Sequence, residues 1–98
     1  MIATPISNEF AAALDEKFGN DTNITTMGGR RYDRIVKTHS VYGGKSVHAF
    51  VERETGKLFK ASGWAAPAKG FRFDLSTEEG FRKAIEAADP YGSYLYQR

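Results

Sequence analysis

Residues 31–62 read RYDRIVKTHSVYGGKSVHAFVERETGKLFKAS, and the fold turns on this stretch. Residues 31–41 are rich in β-branched side chains and alternate in character. Tyr42-Gly43-Gly44-Lys45 then supplies two residues that take positive φ at little cost, as a hairpin connection needs. Residues 46–53 alternate again, with Val47, Ala49 and Val51 on one face and His48 and Phe50 on the other, before Glu54-Thr55-Gly56 offers a second tight turn. Residues 57–62 return as a third strand in which Leu58 faces opposite to Phe59 and Ala61. The pattern predicts a three-stranded antiparallel meander with one face free to pack on helices.

A helix is expected on each side of the meander. Thr4 can cap the first, Pro5 suits its first position because the missing N–H was orphaned anyway, and Gly19 can end it. Ile6, Phe10, Leu14 and Phe18 recur every fourth residue and form its buried stripe. Residues 20–29 lack helical spacing and read as a loop with a short extended piece. Residues 63–70, with two glycines, Pro67 and Trp64, read as an ordered loop, and Phe71, Phe73 and Leu75 as a brief extra strand. Ser76 and Glu79 pair as a capping box for a second helix with Phe81, Ala84, Ile85 and Ala88 buried, stopped at Asp89-Pro90. The aromatic tail from Tyr91 to Tyr96 is expected to pack back on the core. The whole is an α+β fold over residues 1–98 as a single domain: helix, three-stranded meander, a possible short strand, helix, with both helices on one sheet face.

Size and composition narrow the function classes. A chain of 98 residues is too short for a two-domain enzyme. Apolar runs such as Ala11 to Leu14 are far below the about 20 residues of a membrane span, so no membrane partner is expected. The start lacks the basic and apolar segments of a signal peptide, which points to the cytoplasm. Without cysteine there is no disulfide framework and no thiolate metal site. His39 and His48 stand on neighbouring predicted strands, but two imidazoles are an incomplete metal site, and no base, nucleophile and orienting group come together. A non-enzymatic protein with no cofactor is expected.

The net charge of +2 hides an asymmetry: residues 1–29 carry −3, residues 30–73 carry +7 and residues 74–98 carry −2. A basic centre between acidic ends points to an anionic partner, provided the ends do not fold back and neutralise it. The basic residues are interleaved with aromatic ones, the combination with which proteins neutralise phosphates and stack on unpaired bases. Arg31, Arg34, Lys60, Lys69 and Arg72 are the candidate phosphate contacts, and Trp64 the candidate base contact. Proline and glycine make residues 63–70 a rigid loop that would present Lys60, Lys69 and Arg72 near one another.

Three resemblances attach to these residues. Lys69-Gly70-Phe71-Arg72-Phe73 resembles the first half of the ribonucleoprotein signature of the RNA-recognition fold, although Arg72 and Asp74 stand where that signature has small and aliphatic residues. The element order resembles the double-stranded RNA-binding domain, whose last helix starts with phosphate-gripping lysines; here that turn is Ser76-Thr77-Glu78-Glu79, which repels phosphate. The third covers roughly residues 47–96. The run from Ala49 to Ala61, then Trp64, Ala66-Pro67-Ala68-Lys69-Gly70, Arg72 and the tail Gly92-Ser93-Tyr94-Leu95-Tyr96, resembles small proteins encoded by tailed bacteriophages. That resemblance implies a phage accessory protein made in the bacterial cytoplasm and carries over no settled activity. The expected partner is nucleic acid or, alternatively, an acidic host protein that the chain inhibits or modulates, or with which it assists assembly. An open sheet edge and the aromatic tail would also suit a homodimer.

Overall fold

A computed structural model describes residues 2–18, 22–39, 43–89 and 92–96. The elements run α1 (Pro5–Phe18), β1 (Thr22–Met27), β2 (Tyr32–His39), β3 (Lys45–Glu52), β4 (Lys57–Ala61), β5 (Pro67–Asp74), α2 (Glu78–Ala87) and a 3-10 turn at Ser93–Leu95. The five strands form one antiparallel sheet in sequential order. The fold is α+β, but the three-stranded meander is corrected: strands flank it on both sides.

Both extra strands owe their existence to pairing rather than to local pattern. In β1, Thr-Asn-Ile-Thr-Thr-Met offers little hydrophobic alternation, yet all six residues pair with β2, and Ile24 enters the core beneath α1. Asp15 of α1 also accepts a hydrogen bond from the outward-pointing Ile24 N–H at 3.0 Å, covering part of the edge that β1 exposes. In β5, Pro67 begins an edge strand, where a missing ladder donor is tolerated. The register of β4 against β5 shifts twice, around Phe59, and Gly70 takes a φ of 80°. Those irregularities destroy the period-two pattern from which a strand is read.

The helices form largely where their signals lie. At the start of α1 the Thr4 hydroxyl accepts from Ser7 N, and the Thr4 carbonyl accepts from Asn8 N at 3.1 Å. Gly19 and Pro90, expected to end the two helices, lie outside the described residues, as does Tyr42 of the first turn. The α2 cap is Thr77 rather than Ser76: its hydroxyl accepts from Gly80 N at 3.0 Å. Ser76 is occupied elsewhere, its hydroxyl donating to Asp74, which holds that carboxyl below its ordinary range. Gly80 permits the close approach of α2 to β5, since a Cβ there would stand 2.0 Å from the Asp74 carbonyl oxygen.

Both helices pack on the same face of the sheet. Phe10, Ala11 and Leu14 of α1 and Ala84 of α2 meet Ile24, Ile35, Ala49, Val51 and Leu58, and Leu95 from the tail closes the same cluster. Phe10 and Phe81 join the helices edge to face, with ring centres 5.8 Å apart. Lys17 of α1 donates to the Ile85 and Glu86 carbonyls at 2.6 and 3.0 Å, supplying the cation that the last turn of α2 lacks.

Asp33 on β2 is fully buried and ties the N-terminal segment to the sheet. It accepts from Thr4 N and Ser7 Oγ at 2.8 Å each, from the Thr4 hydroxyl, and from the Arg53 guanidinium, which also donates to the Ile2 carbonyl. Burial alone would raise its pKa. The hydrogen bonds from Thr4, Ser7 and Arg53 outweigh burial and hold the carboxyl below its ordinary value.

Candidate nucleic-acid interface

Alternation along β2 sends Asp33, Ile35 and Lys37 toward the helices and Tyr32, Arg34 and Val36 to the other face. Among the described residues, no helix covers that second face. Across it runs a row of directly paired positions: Met27 opposite Arg34, Arg34 opposite Phe50, Phe50 opposite Phe59, and Phe59 opposite Phe71. At about 4.8 Å per strand the row spans roughly 19 Å, the full width of the sheet. Tyr32 stands edge-on to both Phe50 and Phe59, with ring centres 6.1 and 5.6 Å away.

Exposure is least at the middle of this row and rises toward both edges, with Met27 exposed on β1. Phe50 is buried and Phe59 half-buried, whereas Phe71 is 47% exposed and Trp64, on the loop between β4 and β5, is 46% exposed. Cations sit on these rings. The Arg34 guanidinium carbon lies 5.6 Å from the Phe50 centre and 5.5 Å from the Trp64 centre, and Lys57 Nζ lies 4.6 Å from the Phe71 centre. Arg34 Nε donates to the Trp64 carbonyl at 2.7 Å, fastening the loop over the sheet. The loop is closed on itself as well, the Ser62 amide and hydroxyl both donating to the Ala66 carbonyl at 3.1 and 2.9 Å. Beside Trp64 lies an open depression lined by Lys45, Val47, Ala61 and Gly63.

The six sequence candidates divide between the two faces. Arg31, Arg34 and Trp64 share the uncovered side: the Arg31 guanidinium lies 5.4 Å from the Tyr32 centre and 3.4 Å from a Glu52 carboxylate oxygen. Lys69 is exposed on β5. Lys60 and Arg72 turn toward the C-terminal tail instead. Lys60 Nζ lies 4.5 Å from the Tyr96 ring centre, and Arg72 donates to the Leu95, Lys69 and Gly70 carbonyls. The structure therefore does not gather Lys60, Lys69 and Arg72 into one free patch. The register shift at Phe59 is the reason, because the extra residue on β5 puts Arg72 on the helix side while Phe71 keeps the other. Lys57, paired with Asp74 across the strands and seated on Phe71, is a further cation of the site, outside the six read from the sequence. Its alternation with Leu58 is the local signal that points to it.

The two histidines stand apart along the ladder. Thr38 pairs with Lys45, while His48 is an extra residue of β3 opposite the step from Ile35 to Val36, several residues along from His39. The bulge turns His48 to the helix side rather than to the side of Phe50, so that its Nε2 shares a hydrogen bond of 2.7 Å with the Tyr94 hydroxyl. Burial, helped by the charge of Lys37 and opposed by Asp89, pushes the His48 pKa down to about 4; burial pushes that of Tyr94 up. Among the described residues no group of three His, Asp or Glu stands together that would hold a metal ion, and no helix is long and apolar enough to cross a membrane. A separate cleft between α1 and the start of α2 is lined by the apolar Ile6, Leu75 and Phe81 together with Glu9, Glu78 and Arg82.

Among the described residues the helices are confined to one face of the sheet, leaving a ring-and-cation row on the other. The chain belongs to a family of unknown function (DUF7717), whose profile matches residues 5–97. No curated protein and no solved structure matches it.

Proposed function

We propose that the protein is a non-enzymatic binding module whose uncovered sheet face takes nucleic acid, in the manner of an accessory protein of the phage group its central motif resembles. One observation carries the reading: two half-exposed rings, Trp64 and Phe71, each accompanied by a cation, Arg34 and Lys57, on a face that no helix covers. Phosphates meet Arg31, Arg34, Lys57 and Lys69; the carboxylates of α1 and α2 lie on the far side of the sheet, and those beside these cations are Glu52 against Arg31 and Asp74 opposite Lys57.

The test is the affinity for a fluorescently labelled oligonucleotide across a salt series. Affinity is expected to fall steeply as salt rises. Replacing Arg34, Lys57 or Lys69 by Ala is expected to reduce the logarithmic slope by about 0.7 for each single-strand phosphate that is no longer neutralised. Lack of binding at low salt overturns the reading. The exposed rings would equally suit an acidic protein, and a partner retained from nuclease-treated bacterial lysate, with no oligonucleotide bound, would favour that reading instead.

A further inference from the structure

Resting on the nucleic-acid reading above, we infer that the ligand is single-stranded, and that Trp64 and Phe71 are faces on which unpaired bases stack, with Arg34 as a positioning residue for Trp64. In a duplex the flat faces of the bases are covered by their neighbours, and what meets a protein surface is phosphate and groove edge. A surface made for a duplex puts cations foremost or sends a helix or ribbon into a groove. Here two rings, Trp64 and Phe71, stand about half exposed, and Arg34 is half-buried between Phe50 and Trp64. The more exposed cations, Arg31 and Lys69, lie outside the rings. Pressing exposed rings on a duplex backbone would strip water from phosphate and return no stacking energy. An unpaired base returns that energy, whatever its identity.

The rings are also held in place before any ligand arrives. Three hydrogen bonds fix the Trp64 loop, one from Arg34 and two from Ser62, and Lys57 braces Phe71 from β4. A ring already ordered loses little freedom on binding. The depression between Trp64 and Lys45 offers a base a pocket with a cation at its border. The row from Met27 to Phe71 lies at right angles to the strands, so a nucleic-acid strand following it would cross the sheet rather than run along it.

Trp64 is the sole tryptophan, so indole fluorescence, excited beyond the absorption of the tyrosines, reports on this site alone. The full chain is titrated with a single strand of about 12 nucleotides, with the duplex of the same length, and with inorganic polyphosphate, an anionic polymer without bases. The single strand is expected to quench Trp64 and to bind on the order of ten-fold more tightly than the duplex. Trp64→Ala and Phe71→Ala are each expected to lose roughly 5- to 100-fold in single-strand affinity while polyphosphate binding is unchanged, with Trp64→Phe recovering part of the loss. Both side chains are exposed, so these variants are expected to fold, as circular dichroism checks. Arg34→Lys keeps the charge; it is expected to preserve the salt slope and to lose single-strand preference as Trp64 is released. Equal affinity for duplex and single strand, or variants that weaken polyphosphate as much as the single strand, would overturn the inference and leave nucleic-acid binding standing. Failure of all three ligands to bind would overturn both.

Discussion

The two faces of the sheet use the same residue types in opposite ways. On the helix side, charged and polar groups are consumed inside the molecule: Arg53 on Asp33, Arg72 on the Leu95 carbonyl, Lys17 on the end of α2, His48 on Tyr94. Arg53, Arg72 and His48 meet part-buried partners that would otherwise go unsatisfied, and Lys17 closes an exposed helix end. On the other side the cations rest on ring faces or at the rim, and the rings stay half exposed. Folding accounts for the first arrangement. It accounts for the Arg34 hydrogen bond that fastens the Trp64 loop but not for the half-exposed rings, since stability gains little from exposed aromatic surface. The contrast separates residues that hold the fold together from residues available to a ligand, and substitutions on the two faces are the means of testing it.

The largest effect is expected at Asp33. Replacing it with Ala orphans the donors of Thr4 and Ser7 and leaves the part-buried Arg53 guanidinium without its counter-charge. Loss of about 3–5 kcal/mol of unfolding free energy in urea is expected, the usual consequence of removing one partner from a buried pair. A loss below about 1 kcal/mol, the size typical of an exposed pair, would erase the distinction between the faces.

A second effect is set by pH and belongs to the helix side alone. His48 is neutral when folded, its pKa lowered from 6.5 to about 4. The unfolded chain therefore binds a proton that the folded chain refuses, so stability is intact above about pH 6.5 and falls as pH drops toward about 4. The full drop is about 3 kcal/mol, and His48→Gln is expected to remove most of it. Asp33 acts lower: with its folded pKa below 3.8, its contribution is lost only on further acidification through that value. Urea midpoints measured across this range would show the two phases, and a His48→Gln profile identical to that of the parent would refute the assignment.

How much of this is legible depends on what each residue's signal rests on. The stripe of Ile6, Phe10, Leu14 and Phe18 is a local period and reads directly as a helix; so do the two turns around Gly43-Gly44 and Gly56 read as turns, the latter with φ at 77°. Strand β1 is not legible, because Thr-Asn-Ile-Thr-Thr-Met becomes a strand only through its partner β2. Strand β5 is legible only in its last part, where Phe71 and Phe73 alternate with Arg72 and Asp74, and its start is hidden by Pro67 and Gly70. The bulges along it also decide the candidate site. Trp64 and Arg34 stand 30 residues apart in sequence, and nothing local says that one guanidinium holds the other's carbonyl. By composition Arg72 reads as a free phosphate contact, and the bulge turns it to the tail while Phe71 keeps the uncovered face.

The smallest effect is expected at Arg31, and its smallness is the point. Its side chain is 74% exposed, and it meets Glu52 at 3.4 Å with the Tyr32 ring nearby. In form this is an ion pair like that of Arg53 with Asp33, but water solvates the guanidinium in both the folded and unfolded states, so little is gained by pairing and little is lost by removal. Arg31→Ala is expected to cost at most about 0.5 kcal/mol in the same urea titration. A cost of several kcal/mol would make Arg31 a structural residue like Arg53 and remove it from the cations available to phosphate. A negligible cost together with a shallower salt dependence of oligonucleotide binding would place its charge in the service of a ligand rather than the fold.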